Sequence, residues 1–238
     1  MLIHAGKDRT VRIDLRLAVW LSLVAGAVNA AGFRALGYFS ANMTGNVSAA
    51  SDFLSLGRFA TALWLLGLLI AFVLGAFASG LLIDMGERRD LRGIYAFSIL
   101  LEAALLICLG GLDLIWTAAI SGHLMMIGLS FVMGLQNAAT TRISDGRVRT
   151  THVSGIATDI GLGFAALMPG AGRSDDTQIT RARLLLHLAT LGSFFAGGLA
   201  GVWGYERIGP MIFILIAGLL IAAAAPELRK VYRHGAPR

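Results

Sequence analysis

The sequence predicts an all-α membrane protein of six transmembrane helices in two inverted three-helix repeats, with short re-entrant or interfacial half-helices. Three observations predict it. The first is composition: of 238 residues, 56% are hydrophobic and 14% charged, with a mean hydropathy of +0.74. A soluble domain carries about 25% charged residues, so this chain has too little polar surface to coat itself. Its 30 glycines suit close helix contacts inside a bilayer. The second observation is the spacing of the apolar runs, and the third is an internal match between the two halves.

Runs free of Asp, Glu, Lys and Arg fall at 17–33, 59–83, 114–141, 184–205 and 208–225, and a further run at 93–112 contains only Glu102. Each is close to the ~17–25 residues that cross a bilayer as a helix, which gives six spans. Short alternating strands, as a β-barrel requires, are not seen. The N-terminal end mimics a signal peptide, with basic residues, an apolar core and small residues around Ala30. Five more spans follow, so the first reads as a retained helix. With both termini on the cytoplasmic side, every one of the 20 basic residues except Arg34, Arg58 and Arg207 falls on that side. Adding or dropping one helix scrambles that separation.

The net charge of +6 raises the question of nucleic acid, but no basic stripe alternates with aromatics. The lipid bilayer is the expected partner. The single cysteine, Cys108, excludes a disulfide framework or a cysteine metal cluster, and the sequence asks for no metal or cofactor.

"LSLVAGAVNAA" at 21–31 aligns with "LSFVMGLQNAA" at 129–139, identical at seven of eleven positions, Gly26/Gly134 and Asn29/Asn137 among them. A hydroxyl–glycine pair follows each: Thr44-Gly45 in the first half, Ser154-Gly155 in the second. Phe72/Phe194, Gly75/Gly197 and Ala78/Ala200 continue the correspondence. Three spans per half is an odd number, so the halves are expected upside down relative to each other, a recurrent build of secondary transporters. The chain then reads as one integral membrane domain over 1–238, with repeats at about 15–112 and 113–226. Duplication kept only for packing is the other reading.

"VNAAGF" with "FSANMTGN", and "GLQNAATT" with "RTTHVSGIATDIG", resemble the YoaK-like family of bacterial six-helix membrane proteins. Its motifs are an Asn-Ala pair ending a helix and then a Thr-Gly-Asn segment, once per half. The resemblance covers about 15–225. It implies the fold and residence in the bacterial inner (cytoplasmic) membrane, and it supplies no substrate, since the family is one of unknown function. The second copy departs from the pattern, with Ser154-Gly155-Ile156 in place of Thr-Gly-Asn. An Asn ligand there would make the halves unequal.

The segment from Gly37 to Gly57 is too long for a tight turn and too apolar at Val47, Phe53 and Leu54 for a solvated loop. Thr44 is a fitting N-cap for a short helix at Asn46–Leu56. Ser154 is one for Ile156–Met168, which Pro169-Gly170 would end. Two half-helices entering from opposite faces bring two N-termini together, where free N–H groups favour an anion or a polar solute. The expected substrate-binding residues are Asn29, Asn42, Thr44, Gly45, Asn46, Asn137, Ser154 and Gly155. Caps that only satisfy backbone are the alternative for the hydroxyls. For Asn29 and Asn137 the alternatives are lining a pore and locking each helix to its half-helix.

Glu102 lies mid-span, where an ionised carboxylate costs ~2.5–3.5 kcal/mol or more, so it is expected neutral or paired. A carboxylate that titrates there suits proton coupling, with His123 and His187 as candidate partners. Their spacing asks for no haem. "HVSG" at 152–155 sets a Ser beside a His, but chain neighbours do not supply a nucleophile–base geometry, so no enzyme is expected. The functional expectation is a small secondary transporter or channel for a small polar or anionic solute, with proton coupling. The alternative is a non-transporting scaffold or sensor. A homodimer is compatible with either.

Overall fold

The computed structural model describes residues 10–89, 91, 93–116, 118–168 and 177–234. The expected helix stop at Pro169-Gly170 and the basic residues Lys7, Arg9, Arg92, Arg173 and Arg238 lie outside the described residues. Among the described residues the chain forms eight helices and no strand. They are α1 (Val11–Leu36), α2 (Met43–Ser55), α3 (Phe59–Arg88), α4 (Ile94–Ile115), α5 (Ala118–Ile143), α6 (Val153–Ala166), α7 (Thr177–Ile208) and α8 (Met211–His234).

Five helical stretches are long and apolar enough to cross a membrane: α3, α4, Gly122–Ile143 of α5, α7 and Met211–Arg229 of α8. Large apolar side chains face outward on them, including Leu63, Ile70 and Phe77 on α3 and Phe195, Leu199 and Trp203 on α7. Apolar surface on that scale belongs against lipid or a partner rather than water. The chain is a multi-pass helical membrane protein. The expected first span is less plain. α1 has 26 residues, but it is not among the five: Arg12, Asp14, Arg16 and Arg34 flank its middle, and that middle is buried in the bundle.

Glycine sets which helices meet. α1 packs on α7, and α3 on α5. A Cβ on Gly75 would overlap the carbonyl oxygen of Phe131, and one on Gly134 would overlap that of Phe72. In the other pair, Gly26 lies against the carbonyl of Phe194, and Gly197 against that of Leu23. Backbones approach this closely only where a side chain is missing. Gly201 repeats the contact against Ala27, one turn on. The third large contact joins α4 to α8, while α2 rests on α3 and α6 on α7.

Ion pairs fix the directions. Arg34 near the end of α1 pairs with Glu206 near the end of α7 at 2.8 Å, so those helices run parallel. Arg142 near the end of α5 pairs with Asp84 and, at 3.5 Å, with Glu87 near the end of α3, so those two run parallel as well. Asp14 at the start of α1 pairs at 3.0 Å with Arg147, just past the end of α5. α1 and α5 therefore run in opposite directions, and the Arg34 and Arg142 pairs stand at opposite ends of the molecule.

α2 and α6 are the two short helices, of 13 and 14 residues. Both start three residues before the expected positions, at Met43 and Val153, which corrects the predicted caps. Asn42, not Thr44, is the N-cap of α2, and its Oδ1 accepts the Gly45 N–H at 3.1 Å. His152, not Ser154, holds that place in α6, without a side-chain cap bond. An Asn oxygen reaches the N–H of the third residue on and nucleates the turn there.

Candidate functional site

The starts of α2 and α6 face one cavity of about 480 Å³. Asn42 and Thr44 line it from one side, His152, Ser154 and Gly155 from the other, with Asn29 at its edge. Phe72 and Phe194 add apolar walls from near the middles of α3 and α7. The cavity thus collects two helix N-termini, amide and hydroxyl groups and two aromatic rings. Unpaired N–H groups at such ends present partial positive charge to whatever enters.

Each half-helix is held by the Asn of the preceding long helix. Asn29 Oδ1 accepts the Ala41 N–H at 2.9 Å and the Ser40 hydroxyl at 3.5 Å. Asn137 Nδ2 donates to Thr151 Oγ1 at 2.7 Å and to the Met133 carbonyl at 2.9 Å, and its Oδ1 accepts from Thr150 at 3.3 Å. Ala41 and Thr151 both stand two residues before a half-helix. The Asn side chains therefore lock the connecting segments, and Asn29 also borders the cavity.

The remaining expected residues divide. Gly45 spends its N–H on Asn42, and Asn46 is buried with Nδ2 donating to the Phe39 carbonyl at 3.4 Å, so both shape α2 from behind the cavity wall. Asn137 borders a second cavity, of about 570 Å³, together with Thr141, Arg142 and Asp145. A third, of about 320 Å³, lies beside Arg147, Arg149, Asp159 and His187. His152 borders all three. Burial first, and then the Arg149 guanidinium, lower the His152 pKa from its usual value, so the imidazole is neutral at pH 7 and can donate or accept.

Glu102 is completely buried, as its place in the span suggested, but its partner is neither histidine. Gln136 Nε2 donates to its Oε1 at 2.9 Å. His123 stacks edge-on against Trp64 with centroids 4.6 Å apart, and His187 Nε2 lies 3.8 Å from Asp159 Oδ2. Sequence position does not reveal which face of a helix meets which neighbour, and both histidines turn away from α4. Gln136, His152, Thr150 and Thr151 were given no role by the sequence. Gln136 carried one available signal: an amide inside an apolar run needs a partner.

The geometry can be set beside known proteins. A family profile described as "Protein of unknown function (DUF1275)" matches residues 17–225. The chain belongs to this family. Among curated proteins, "UPF0700 transmembrane protein YoaK" of Bacillus subtilis (strain 168) is 28% identical over 136 residues, covering 57% of this chain and 60% of that relative. The aligned region is thus less than two thirds of the relative's length. No solved structure matches. The DUF1275 chain is a YoaK-like membrane protein, and the family description assigns it no activity.

Proposed function

We propose that this protein is a small secondary transporter or channel that passes a small polar or anionic solute through the cavity between α2 and α6, with Glu102 linking passage to protons. One observation carries the reading: two half-helix N-termini meet at one cavity of about 480 Å³ with Asn29, Thr44 and Ser154 on its wall. Partial positive charge at helix ends attracts anions without the desolvation cost of a buried lysine. Arg149 beside one adjoining cavity adds positive charge, partly offset there by Asp159.

In this reading α1 is a sixth span, α1–α4 and α5–α8 are inverted repeats, and α2 and α6 are re-entrant. Three observations support the repeat. The glycine contacts come in matched pairs: Gly75 on Phe131 with Gly197 on Leu23, and Gly134 on Phe72 with Gly26 on Phe194. The ion pairs match too, since Arg34 and Arg142 stand five residues after Asn29 and Asn137, and Glu206 and Asp84 nine after Gly197 and Gly75. Finally, α1 and α5 run in opposite directions. Both termini then face the cytoplasm of a bacterium, by the arrangement of Arg and Lys.

Reconstitution into liposomes tests the function. Purified protein is expected to move small anions such as formate, nitrate or phosphate down a gradient, and Thr44→Val with Ser154→Ala to reduce that flux at least severalfold. A reconstituted, folded protein that moves none of a broad anion and metabolite panel would sink transport and leave the scaffold or sensor.

A further inference from the structure

A chain of buried polar side chains joins Glu102 to the start of α6. Glu102 Oε1 accepts from Gln136, and its Oε2 has no hydrogen-bond partner among the described residues. Gln136 Oε1 lies 3.5 Å from Thr150 Oγ1, which also lies 3.3 Å from Asn137 Oδ1. Asn137 in turn donates to Thr151, on the wall of the main cavity. Gln136, Thr150 and Glu102 are fully buried. In the matching stretch of the first half, Val28 stands where Gln136 does, so the chain has no counterpart there.

We propose that Glu102, Gln136 and Thr150 form a proton-sensing relay that sets how firmly the segment before α6 is held. The chemistry follows from donor counts. An ionised carboxylate only accepts, so Gln136 must turn its NH₂ to Glu102 and its carbonyl to Thr150. The Thr150 hydroxyl has one hydrogen, and Gln136 then competes with Asn137 for it. When Glu102 takes a proton from water, the acid becomes a donor. The Gln136 amide turns over, its carbonyl accepts from Glu102, and its NH₂ donates to Thr150. The Thr150 hydrogen goes wholly to Asn137, and Thr150–Thr151 is pinned to α5. Losing the proton to water reverses each step, and no other bond is made or broken.

The helices packed on α4 carry their other titratable groups elsewhere. Among the residues whose side chains are described these are Asp84, Glu87 and Arg88 at the end of α3, His123 and Arg142 toward the two ends of α5, and Glu227 and Arg229 on α8. On α4 itself, Tyr95 and Asp113 are near its ends and Cys108 is exposed. Tyr95 donates to Glu87, and Arg142 pairs with Asp84 and Glu87, all at some distance along the chain from Glu102. The relay deepens the transport reading, because the segment it holds lines the cavity, but its test needs no flux.

The test uses full-length protein with Cys108→Ser and a single cysteine at Ser154→Cys or Thr44→Cys. Maleimide labelling rates are read across a pH series and divided by the thiolate fraction measured at each position, and the ratio of position 154 to position 44 is then taken. The ratio is expected to rise severalfold as Glu102 ionises. It should be flat in Glu102→Gln and also in Gln136→Leu, which keeps the carboxyl but cuts the relay; Thr150→Val supplies the same cut if either variant fails to fold. A pH-dependent ratio that survives Glu102→Gln or both relay cuts overturns the proposal. So does a flat ratio in the otherwise unaltered protein. A titrating ratio without anion flux keeps the relay and sinks transport, and flux with a flat ratio does the reverse.

Discussion

Asn29 fastens the segment before α2 and Asn137 the segment before α6, through residues at matching positions. Beyond those anchors the two halves of the molecule part. In the first half, Phe33 and Phe39 stack with centroids 4.1 Å apart and planes within 10°, Phe39 on the cavity wall and Phe33 next in the chain to Arg34 of the Arg34–Glu206 pair. In the second half, Thr141 and Arg149 hold the corresponding places, and cavities of about 570 and 320 Å³ open beside them. An Asn anchors the same place in each half, though Asn29 only accepts there and Asn137 also donates, and the side chains beyond them differ. That contrast teaches a division of labour: amides set the architecture, and the choice of aromatic or polar residues sets which end of the cavity is covered. The covered end is apolar and stacked. The other borders two further cavities whose walls carry Arg142, Arg147 and Arg149 together with Asp145 and Asp159.

The largest effect is expected where the halves are most alike. Gly75→Leu and Gly197→Leu each drive a side chain into a backbone carbonyl of the neighbouring helix, which cannot step aside as a flexible side chain can. Overpacking costs about 1–3 kcal/mol, occasionally more, and a backbone obstacle puts these two at the upper end. Both variants should lose the monodisperse peak in detergent size exclusion to a similar degree, whereas Gly67→Ala and Gly80→Ala, with open space around them, should not. If one glycine of the pair tolerates leucine, the halves are not packed by the same rule and the comparison breaks at its base.

Those glycines were legible because a backbone contact leaves only one residue type acceptable, and that mark recurs in the sequence. The long apolar runs were legible for a similar reason, since lipid-facing positions admit few polar residues. The helices start three residues earlier than the hydroxyls suggest: Asn42 caps α2 through the Gly45 N–H, and α6 begins after His152 with no side-chain cap bond, so nothing in its cap chemistry marks the start. Gln136 could not be read as the partner of Glu102, because the contact spans 34 positions and depends on how α4 and α5 are rotated. The histidines were misassigned for the same reason. The aromatic cover was missed because Phe39 lies in a non-helical segment, where spacing carries no facial information.

A smaller effect should separate the ends. Phe39→Ala removes the stack, a pair worth about 0.5–1.5 kcal/mol beyond its buried area, so thermal stability should fall modestly. Access should change far more. In the Cys108→Ser background, a cysteine at Thr44 should label severalfold faster from the Arg34 side of the membrane with Phe39→Ala than without it. Labelling from the Arg142 side should stay the same. An unchanged rate from the Arg34 side would mean that the stack covers nothing, and the contrast between the ends would reduce to packing.

The smallest effect is expected at the charges. The Arg34 and Glu206 side chains are 55% and 49% exposed, and those of Arg142 and Asp84 are 51% and 43% exposed. Ion pairs this open contribute about 0–1 kcal/mol, because water and salt screen them and ordering two long side chains offsets the attraction. Arg34→Ala and Arg142→Ala should therefore shift the melting temperature little, and by similar amounts. A double-mutant cycle with Glu206→Ala or Asp84→Ala measures the coupling in each pair. Equal, small couplings would place the difference between the ends in the aromatic cover alone. A coupling well above 1 kcal/mol at Arg34–Glu206 only would mean that the covered end is also held by charge, a burial the present exposures do not provide.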